Sequence, residues 1–587
     1  MRRSHTPSST IYFSQRILRP PNTRPFDPPV PRQFSHKPRL FLVSRIAPPT
    51  RPQLPFLYPS SQYLANGRIA RLFSLTANNK KFLKETARLS VKYSIIIWLL
   101  TTSTTIAGIG FLSERQEREF PSPHEWSLWT RLKFREARWY ELPENNDDRG
   151  VPNWVVVWNE FNKALKRLED PGKDGAGLVE QEDGALSVPG VGKAGFDITA
   201  KSEEWRQGYF EVLYGMAQAA ERLEGVMTNK RRSEVWAPQY IASPTNPRPK
   251  TPPPGFNLPP PEGEIFPWID NPAEAYYMKI LTTQGFTTGQ RMQAALAYAD
   301  HLVFKKLPES AEETYRWALD IAISGLPIPE PEAVIDRKTA VFSSTAPPDL
   351  VTPNLIEAAT NLATFHASRG NIASALPIYL SVLRARLAAP LATEPLPRRL
   401  RDSSVMGTLV SIFSLKGELE YPPLPPTGDE PFLRREEDRC EEAALKSYIG
   451  EILFATAGSS PSLQRQGLYW VRDAVSTAKL AQSLDVIAID EKRRKRCEQC
   501  EEVGLESWGK IMTYLSAQAK EEVEESKQGL RGLATRIWTG TEALEKEVEE
   551  LEDEEEGVVL RLNKLRERVM REEWEEMDRK YARLFVI

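Results

Sequence analysis

Residues 298–318 read YADHLVFKKLPESAEETYRWA, and their arrangement of small and aromatic residues returns twice further along the chain. Residues 362–382 read LATFHASRGNIASALPIYLSV, and residues 454–474 read FATAGSSPSLQRQGLYWVRDA. In each stretch two small residues lie twelve positions apart: Ala299 and Ala311, Ala363 and Ala375, and Ala455 and Gly467.

This spacing predicts pairs of packed helices. Two antiparallel helices approach each other closely only where the side chains at their crossing are small. Tyr315 and Tyr379 stand four positions after the second small residue, one turn along the same face, and we expect them to fill the gap to the following helix. The predicted repeat-packing residues are Tyr298, Ala299, Ala311, Tyr315, Ala318, Leu362, Ala363, Ala375, Tyr379, Ala455, Gly467 and Ala474.

The pattern resembles the tetratricopeptide (TPR) repeat, which implies an α-solenoid. It departs from that family in two respects. The three units lie 64 and 92 residues apart, whereas a TPR unit has about 34 residues. Ala295, Ala359 and Glu451 stand where the family has its opening tryptophan. We therefore expect an all-α fold with a degenerate TPR-like helical repeat; unrelated helical hairpins are the alternative.

Local signals mark the ends of these helices. Ser310-x-x-Glu313 predicts a capping box at the start of the second helix of the first pair. Thr352-Pro353 predicts a helix start with proline in its first turn, and Gly370-Asn371 predicts the turn inside the second pair.

Flanking segments complete the domain plan of the soluble part. Trp154–Leu168 and Trp205–Leu223 have the periodicity of amphipathic helices. Proline is concentrated after them, and a spacer is favoured there over a polyproline ligand. The sequence predicts an N-terminal helical subdomain over 113–237, a Pro-rich connector over 238–272, the repeat domain over 273–540, and a charged C-terminal helix over 541–587 that packs back as a cap.

One stretch has the length of a membrane-spanning helix. Residues 93–112, YSIIIWLLTTSTTIAGIGFL, carry no charge and are long enough to cross the roughly 30 Å hydrocarbon core of a bilayer. We expect the hydroxyls of Thr101 and Thr102 to bond back to helix carbonyls. Lysine and arginine are in excess before this stretch, so the N-terminal side is predicted to stay in the matrix.

The N-terminal region has the composition of a targeting sequence. Residues 1–80 are rich in Arg, Ser and Pro, and Asp27 is the one acidic residue among them. This composition is typical of a mitochondrial presequence, which we expect to be disordered; an untargeted basic tail is the alternative. With the span, it predicts a single-pass protein of the mitochondrial inner membrane whose C-terminal domain lies in the intermembrane space.

No motif in the sequence predicts catalysis, a cofactor or a metal site. The net charge of −2 gives no electrostatic case for nucleic acid. Gly190–Lys193 has only part of a phosphate-loop motif, since Ser187 and Ala194 replace required residues. His301 and His366 occupy helix-packing positions. We predict that the protein is not an enzyme.

The cysteines give no clear site either. Cys497 and Cys500 form a C-x-x-C, without a second pair that would complete a zinc site and without the βαβ pattern of a redox fold. With Cys440 they are too few for a disulfide framework. We interpret Cys497 and Cys500 as residues one turn apart on a charged helix.

The layout as a whole resembles the fungal inner-membrane TPR proteins that act as substrate adaptors of the i-AAA protease. The resemblance rests on the presequence, the span and the repeat units between 290 and 480. It implies that the domain binds unfolded or misassembled proteins and presents them to the protease, and no binding residue can be carried over. The alternatives are a TPR import receptor of the outer membrane, a scaffold or assembly factor for inner-membrane complexes, and an enzyme built on helices.

Overall fold

A computed structural model describes residues 76–584 of the chain, except 147–150, 181–194, 230, 232–233, 244–245, 256, 260–263, 329, 393–420, 459, 485–490 and 529–539. The described residues form an all-α structure with thirteen α-helices, as the sequence predicted. The helices are α1 Ala77–Glu119, α2 Leu128–Glu141, α3 Trp154–Leu168, α4 Glu203–Arg222, α5 Ala273–Thr282, α6 Thr288–Phe304, α7 Pro308–Ser324, α8 Pro353–Ser368, α9 Ile372–Ala388, α10 Arg439–Thr456, α11 Pro461–Gln482, α12 Glu491–Gln528 and α13 Gly540–Leu584.

Helix α1 contains the apolar stretch 93–112 and extends beyond it at both ends. Among the described residues it is the one helix long and apolar enough to cross a membrane. Its apolar side chains, such as Trp98 and Ile109, are exposed rather than packed into a protein core. The hydroxyls of Thr101 and Thr102 donate to the carbonyls of Ile97 and Trp98 at 2.9 and 2.7 Å, as expected. Because both hydroxyls are hydrogen-bonded within the helix, their burial in lipid would cost less free energy.

Most of the predicted presequence, residues 1–75, lies outside the described residues. The expected disorder does not extend to residue 80, because α1 begins at Ala77 and residues 77–80 are helical. The basic residues Lys80 and Lys81 therefore belong to the same continuous helix as the apolar stretch.

From α2 to α13, each helix packs against the next along the chain. The strongest contacts beyond these join helices two places apart, such as α6 with α8 and α10 with α12. Nearest-neighbour packing of this kind is what makes a helical array quasi-one-dimensional. Helices α9 and α10 pack against each other in the same way, although a long insertion separates them along the chain.

The three sequence units fall on three helical hairpins: α6 with α7, α8 with α9, and α10 with α11. In the first two hairpins the small residues Ala299, Ala311, Ala363 and Ala375 are fully buried. These positions therefore permit close approach of the paired helices.

The tyrosines of the first two hairpins make the same two contacts. Tyr315 donates to Asp300, and Tyr379 donates to Thr364 at 2.9 Å; each partner lies fifteen residues earlier, on the first helix of the same hairpin. The ring of Tyr315 also packs on Phe365 of the next hairpin, with centroids 5.1 Å apart. The ring of Tyr379 stacks on Tyr448 of the third hairpin at 5.6 Å. Each tyrosine thus joins the two helices of its own hairpin to the hairpin that follows.

The third hairpin packs at different residues from those predicted. Ala455 is exposed, so its assignment as a packing residue is wrong. A Cβ placed on Gly467 would lie 2.8 Å from the carbonyl oxygen of Gly450, and one on Gly450 would lie 2.8 Å from that of Gly467. The helices therefore cross at this pair of glycines, one turn earlier on α10 than the aligned spacing indicated. Gly467 keeps its predicted role, and Ala474 is buried.

The helix-end signals agree with the structure in part. Thr352 caps α8, with Pro353 in the first turn, and Gly370 adopts a positive φ of 74° in the turn before α9. The predicted capping box at Ser310 is wrong, because α7 already begins at Pro308 and Ser310 therefore lies inside its first turn and not at the N-cap position. The capping box that forms joins Thr287 to Gln290 at the start of α6.

Short strands interrupt the helices before α5. Strands β1 Val179–Glu180 and β2 Phe196–Asp197 pair antiparallel. Strands β4 Val235–Trp236, β3 Met227–Asn229 and β5 Ile265–Pro267 form a second antiparallel sheet in that order. The predicted connector 238–272 is therefore not only a spacer, because its end is paired as β5 to the subdomain before it.

The C-terminal helix α13 packs along α12. Val558 and Leu565 are buried against apolar residues of α11 and α12. Glu554 accepts a hydrogen bond from the indole of Trp508 at 3.0 Å and pairs with Arg472 of α11. The apolar positions of the charged C-terminal helix thus complete the last core cluster of the array.

Cys497 and Cys500 lie one turn apart on the charged helix α12, as interpreted, but Cys497 has a covalent partner that the sequence did not reveal. Cys440 at the start of α10 and Cys497 in α12 form a disulfide with a Cα–Cα distance of 5.2 Å, and both residues are buried. Cys500 stays a free thiol, and burial raises its pKa. The pairing joins residues 57 positions apart, which spacing along the sequence could not reveal.

We expect Cys440→Ser to lower the unfolding free energy by about 2–4 kcal/mol, because a cross-link of this span restricts the unfolded chain. The measurement is urea unfolding of the full-length protein in mild detergent, with and without dithiothreitol. Cys500→Ser is the matched control and should change little. A deficit for Cys440→Ser that persists in reductant, or an equal deficit for Cys500→Ser, would contradict the role of the disulfide.

Candidate interaction groove

A groove lies along one face of helices α4, α6 and α8. Its first cavity has a volume of about 540 Å³ and is lined by these helices, by the loop before α6, and by residues 424–427 and Glu430. Helices α5, α7 and α9 alternate with them along the chain and contribute none of these lining residues. The cavity is therefore a property of one face of the helical array.

A second cavity continues the first. It has a volume of about 560 Å³ and is lined by the end of α1, by α2, by α4 and by residues 421–425. Gln207, Leu424 and Pro425 line both cavities. The two cavities are consecutive parts of one groove, and the same stretch of chain borders both.

That stretch is the groove segment, residues 421–430, with the sequence YPPLPPTGDE. Its C-terminal part is held by Asn354, which is 4% exposed at the start of α8. The side-chain amide of Asn354 donates to the carbonyl of Thr427 at 3.1 Å and to the carboxylate of Asp429 at 2.9 Å. The backbone N–H of Asn354 donates to the carbonyl of Gly428 at 3.2 Å. One buried residue thus fixes three consecutive residues of the groove segment.

Two glycines allow this close approach. A Cβ on Gly289 of α6 would lie 2.5 Å from the carbonyl oxygen of Thr427, and one on Gly428 would lie 2.2 Å from the Asn354 side chain. Gly428 also has a φ of 80°, which side-chain-bearing residues rarely adopt. The contact therefore depends on glycine both in the groove wall and in the segment.

The negative charge of Glu430, at the C-terminal end of the groove segment, is stabilised by its own neighbours. Desolvation favours the neutral form of Glu430, but hydrogen bonds from the hydroxyl of Thr427 and the backbone N–H of Gly428 outweigh it and lower the pKa of Glu430. The Glu430 carboxylate therefore folds back onto the turn that Asn354 holds.

The opposite end of the groove contains a charged cluster. Burial alone would lower the pKa of Arg138, but Glu211 and Glu141, each 2.8 Å away, outweigh it and raise that pKa. Burial, with the negative charge of Glu211, raises the pKa of the Tyr421 hydroxyl. Tyr421 therefore remains a protonated hydrogen-bond donor beside the carboxylates.

The groove wall carries more acidic than basic side chains. Arg138 and Arg206 are its basic residues, and Arg138 is neutralised by its two carboxylate partners. Amide groups form the middle of the wall, where Gln290 donates to Gln207 at 2.7 Å and Gln207 donates to Glu211 at 2.9 Å. The acidic residues of the wall are Glu119, Glu141, Glu203, Glu211 and Glu357, and Glu430 of the groove segment also lines the first cavity.

The predicted repeat-packing residues do not line the groove. Apart from Ala455, they lie in or beside the contacts between helices, and Tyr298 packs between the two larger core clusters. His301 and His366 are likewise buried. The sequence analysis did not predict the groove residues, although the proline run at 422–426 is similar to the proline clusters of the predicted connector. The incomplete phosphate-loop motif at 190–193 lies outside the described residues.

The buried side chain of His301 lies close to three carboxylates. Its ring nitrogens lie 3.6 Å from a carboxylate oxygen of Glu221, 3.8 Å from one of Glu224 and 3.7 Å from one of Glu274. Lys305 pairs with Glu224 at 2.9 Å and also with Glu274. The ion pairs of Lys305 connect the end of α6 with α5 and with the residue range just after α4, and His301 lies beside the same carboxylates.

Comparisons with known proteins identify no family. No protein-family model, no curated protein and no solved structure matches the chain.

Proposed function

We propose that this protein is a membrane-anchored adaptor that holds extended segments of unfolded or misassembled proteins and presents them to the i-AAA protease of the mitochondrial inner membrane. The observation that carries the proposal is the groove on α4, α6 and α8, which already accommodates an extended stretch of polypeptide. Asn354 binds the backbone carbonyls of Thr427 and Gly428, and contacts of this kind do not depend on the side chains of the chain that is held. The apolar helix α1 supplies a means of anchoring the array.

The Cys440–Cys497 disulfide supports the proposed orientation. Disulfides persist in oxidising compartments and are rare where glutathione and thioredoxin keep thiols reduced. A domain facing the cytosol, as in an import receptor, would be maintained in a reducing environment. We therefore propose that the array lies in the intermembrane space and the basic start of α1 in the matrix.

Protease protection tests this orientation. In intact mitochondria, added protease should leave the C-terminal domain whole, and rupture of the outer membrane should expose it. Thiol labelling of the same samples should find Cys500 reactive only after denaturation and the other cysteines reactive only after reduction. Cleavage without rupture of the outer membrane would instead favour an outer-membrane receptor.

Affinity purification tests the function. The full-length protein, tagged at its C-terminus, is isolated from mitochondria in mild detergent after brief heat stress. We expect a hexameric AAA protease and unfolded proteins to be recovered with it. Absence of the protease while other inner-membrane complexes survive would refute the adaptor. Recovery of respiratory subunits alone would identify a scaffold or assembly factor.

A further inference from the structure

We infer that the groove accepts Pro-rich, basic, extended segments of other proteins, and that residues 421–426 occupy this place as an internal competitor. The inference rests on the proposed adaptor function only in treating these partners as substrates. It stands on three features of the groove: the chemistry of the resident segment, the uneven way in which the segment is held, and the charge of the wall.

The resident segment shows which chemistry fits. Pro422, Pro423, Pro425 and Pro426 surround Leu424. Proline has no backbone N–H and a fixed φ, so such a run is stiff, extended and loses little entropy on binding. Recognition of this kind depends on the shape of the groove more than on backbone ladders.

The segment is held unevenly. Asn354 fixes residues 427–429 through three hydrogen bonds. Pro423, Pro425 and Pro426 are exposed on their outer side, although they border the cavities. The cavities of about 540 and 560 Å³ remain unfilled beside the segment, and volumes of this size are typical of ligand sites. Four of the five residues 422–426 are prolines, which have no backbone N–H to donate, so this part is the one that a partner would replace while residues 427–429 stay bound.

The wall sets the charge of the partner. Five carboxylates of the wall face two arginines along the groove, and Arg138 is already paired with Glu141 and Glu211. The groove segment brings no basic residue to this surface. A competing segment flanked by lysine or arginine would gain electrostatic complementarity that the resident segment lacks.

The test uses the full-length protein in detergent and fluorescent peptides that carry the core PPLPP. The opened variant replaces Pro422, Pro423, Leu424, Pro425 and Pro426 with serine. We expect the opened variant to bind a Lys-flanked peptide at least tenfold more tightly than the wild type does, and to bind it about tenfold more tightly than a Glu-flanked peptide at low salt. Serine replacements at Pro252, Pro253 and Pro254, a Pro cluster outside the groove, are the matched control and should leave binding at the wild-type level.

A charge reversal assigns the binding to this wall. Glu203 and Glu357 are exposed, line the first cavity, and come from different helices. Glu203→Lys with Glu357→Lys in the opened variant should reverse the preference toward the Glu-flanked peptide. Circular dichroism and limited proteolysis show that each variant is folded. Equal peptide affinity of wild-type and opened protein would overturn the internal competition, and an unchanged preference after charge reversal would overturn this site.

The outcome is separable from that of the proposed function. Peptide binding is measured with purified protein and needs no protease. Recovery of the protease without peptide binding would overturn only the inferred substrate chemistry. Peptide binding without recovery of the protease would leave the groove specificity intact and overturn the adaptor function.

Discussion

Replacement of Glu117 with alanine is expected to lower the unfolding free energy by about 3–5 kcal/mol, because it leaves a buried charge without its partner. Glu117, near the end of α1, and Arg135 of α2 have side chains that are 7% and 2% exposed. Their charged groups lie 2.6 Å apart, and Arg131 approaches the same carboxylate at 3.0 Å. The backbone N–H of Ser122 also donates to Glu117, at 3.0 Å.

Loss of Glu117 would leave the charged guanidinium of Arg135 buried without this partner. Burial lowers the pKa of Arg135, and the charge of Glu117 partly offsets that effect. Arg135 would keep its hydrogen bond to the carbonyl of Ser113 at 2.9 Å. It would nevertheless remain a cation in a site with little water, so the end of α1 and helix α2 should separate locally.

The measurement is thermal unfolding of the full-length protein in mild detergent, with hydrogen exchange to locate the damage. Glu114→Ala is the matched control: Glu114 lies on the same helix, is 33% exposed and pairs with Arg118 at 3.4 Å. Because Glu114 is partly exposed and its pair with Arg118 is long, loss of Glu114 should lower the unfolding free energy less than loss of Glu117 does. A double variant, Glu117→Leu with Arg135→Met, should be more stable than Glu117→Ala, since it removes both charges. Equal unfolding of the Glu117 and Glu114 variants would contradict this account.

The helical array was predictable from local pattern, and its exceptions have physical reasons. Ala299 and Ala363 were found because small residues at a crossing leave a regular mark on the sequence. Ala455 fulfilled the same spacing, but the closest approach in the third hairpin is set by Gly450 and Gly467, which have still less volume. Spacing identifies every pair of small residues twelve positions apart, but the helices cross at the pair that allows the two backbones to come closest.

The groove was not predictable in the same way. Gly289, Asn354 and Gly428 come from α6, from α8 and from an insertion between α9 and α10, and they meet only in the folded array. Nothing in their local sequence marks them as one site. The disulfide between Cys440 and Cys497 was not predictable for the same reason, because the two cysteines lie 57 positions apart and meet only in the folded array.

The second large effect is expected for Tyr379→Ala, at about 3–5 kcal/mol, the range for removing a buried aromatic side chain. Tyr379 is 1% exposed, stacks on Tyr448 of the next hairpin at 5.6 Å and donates to Thr364 at 2.9 Å. Tyr379→Phe is the matched control. It loses only the hydrogen bond, worth about 1 kcal/mol, and keeps the ring contact.

The distribution of the damage distinguishes an array from a globular core. Helices α8 and α9 pack mainly on their neighbours along the chain, so disruption at Tyr379 should stay local. After Tyr379→Ala we expect hydrogen exchange to rise in α8, α9 and α10, and to remain close to wild type in α2 and α3. A uniform rise across all helices would show that α2–α13 unfold as one cooperative unit. Since the proposed groove uses α8, the same variant should also weaken peptide binding in the opened protein, whereas Tyr379→Phe should retain it.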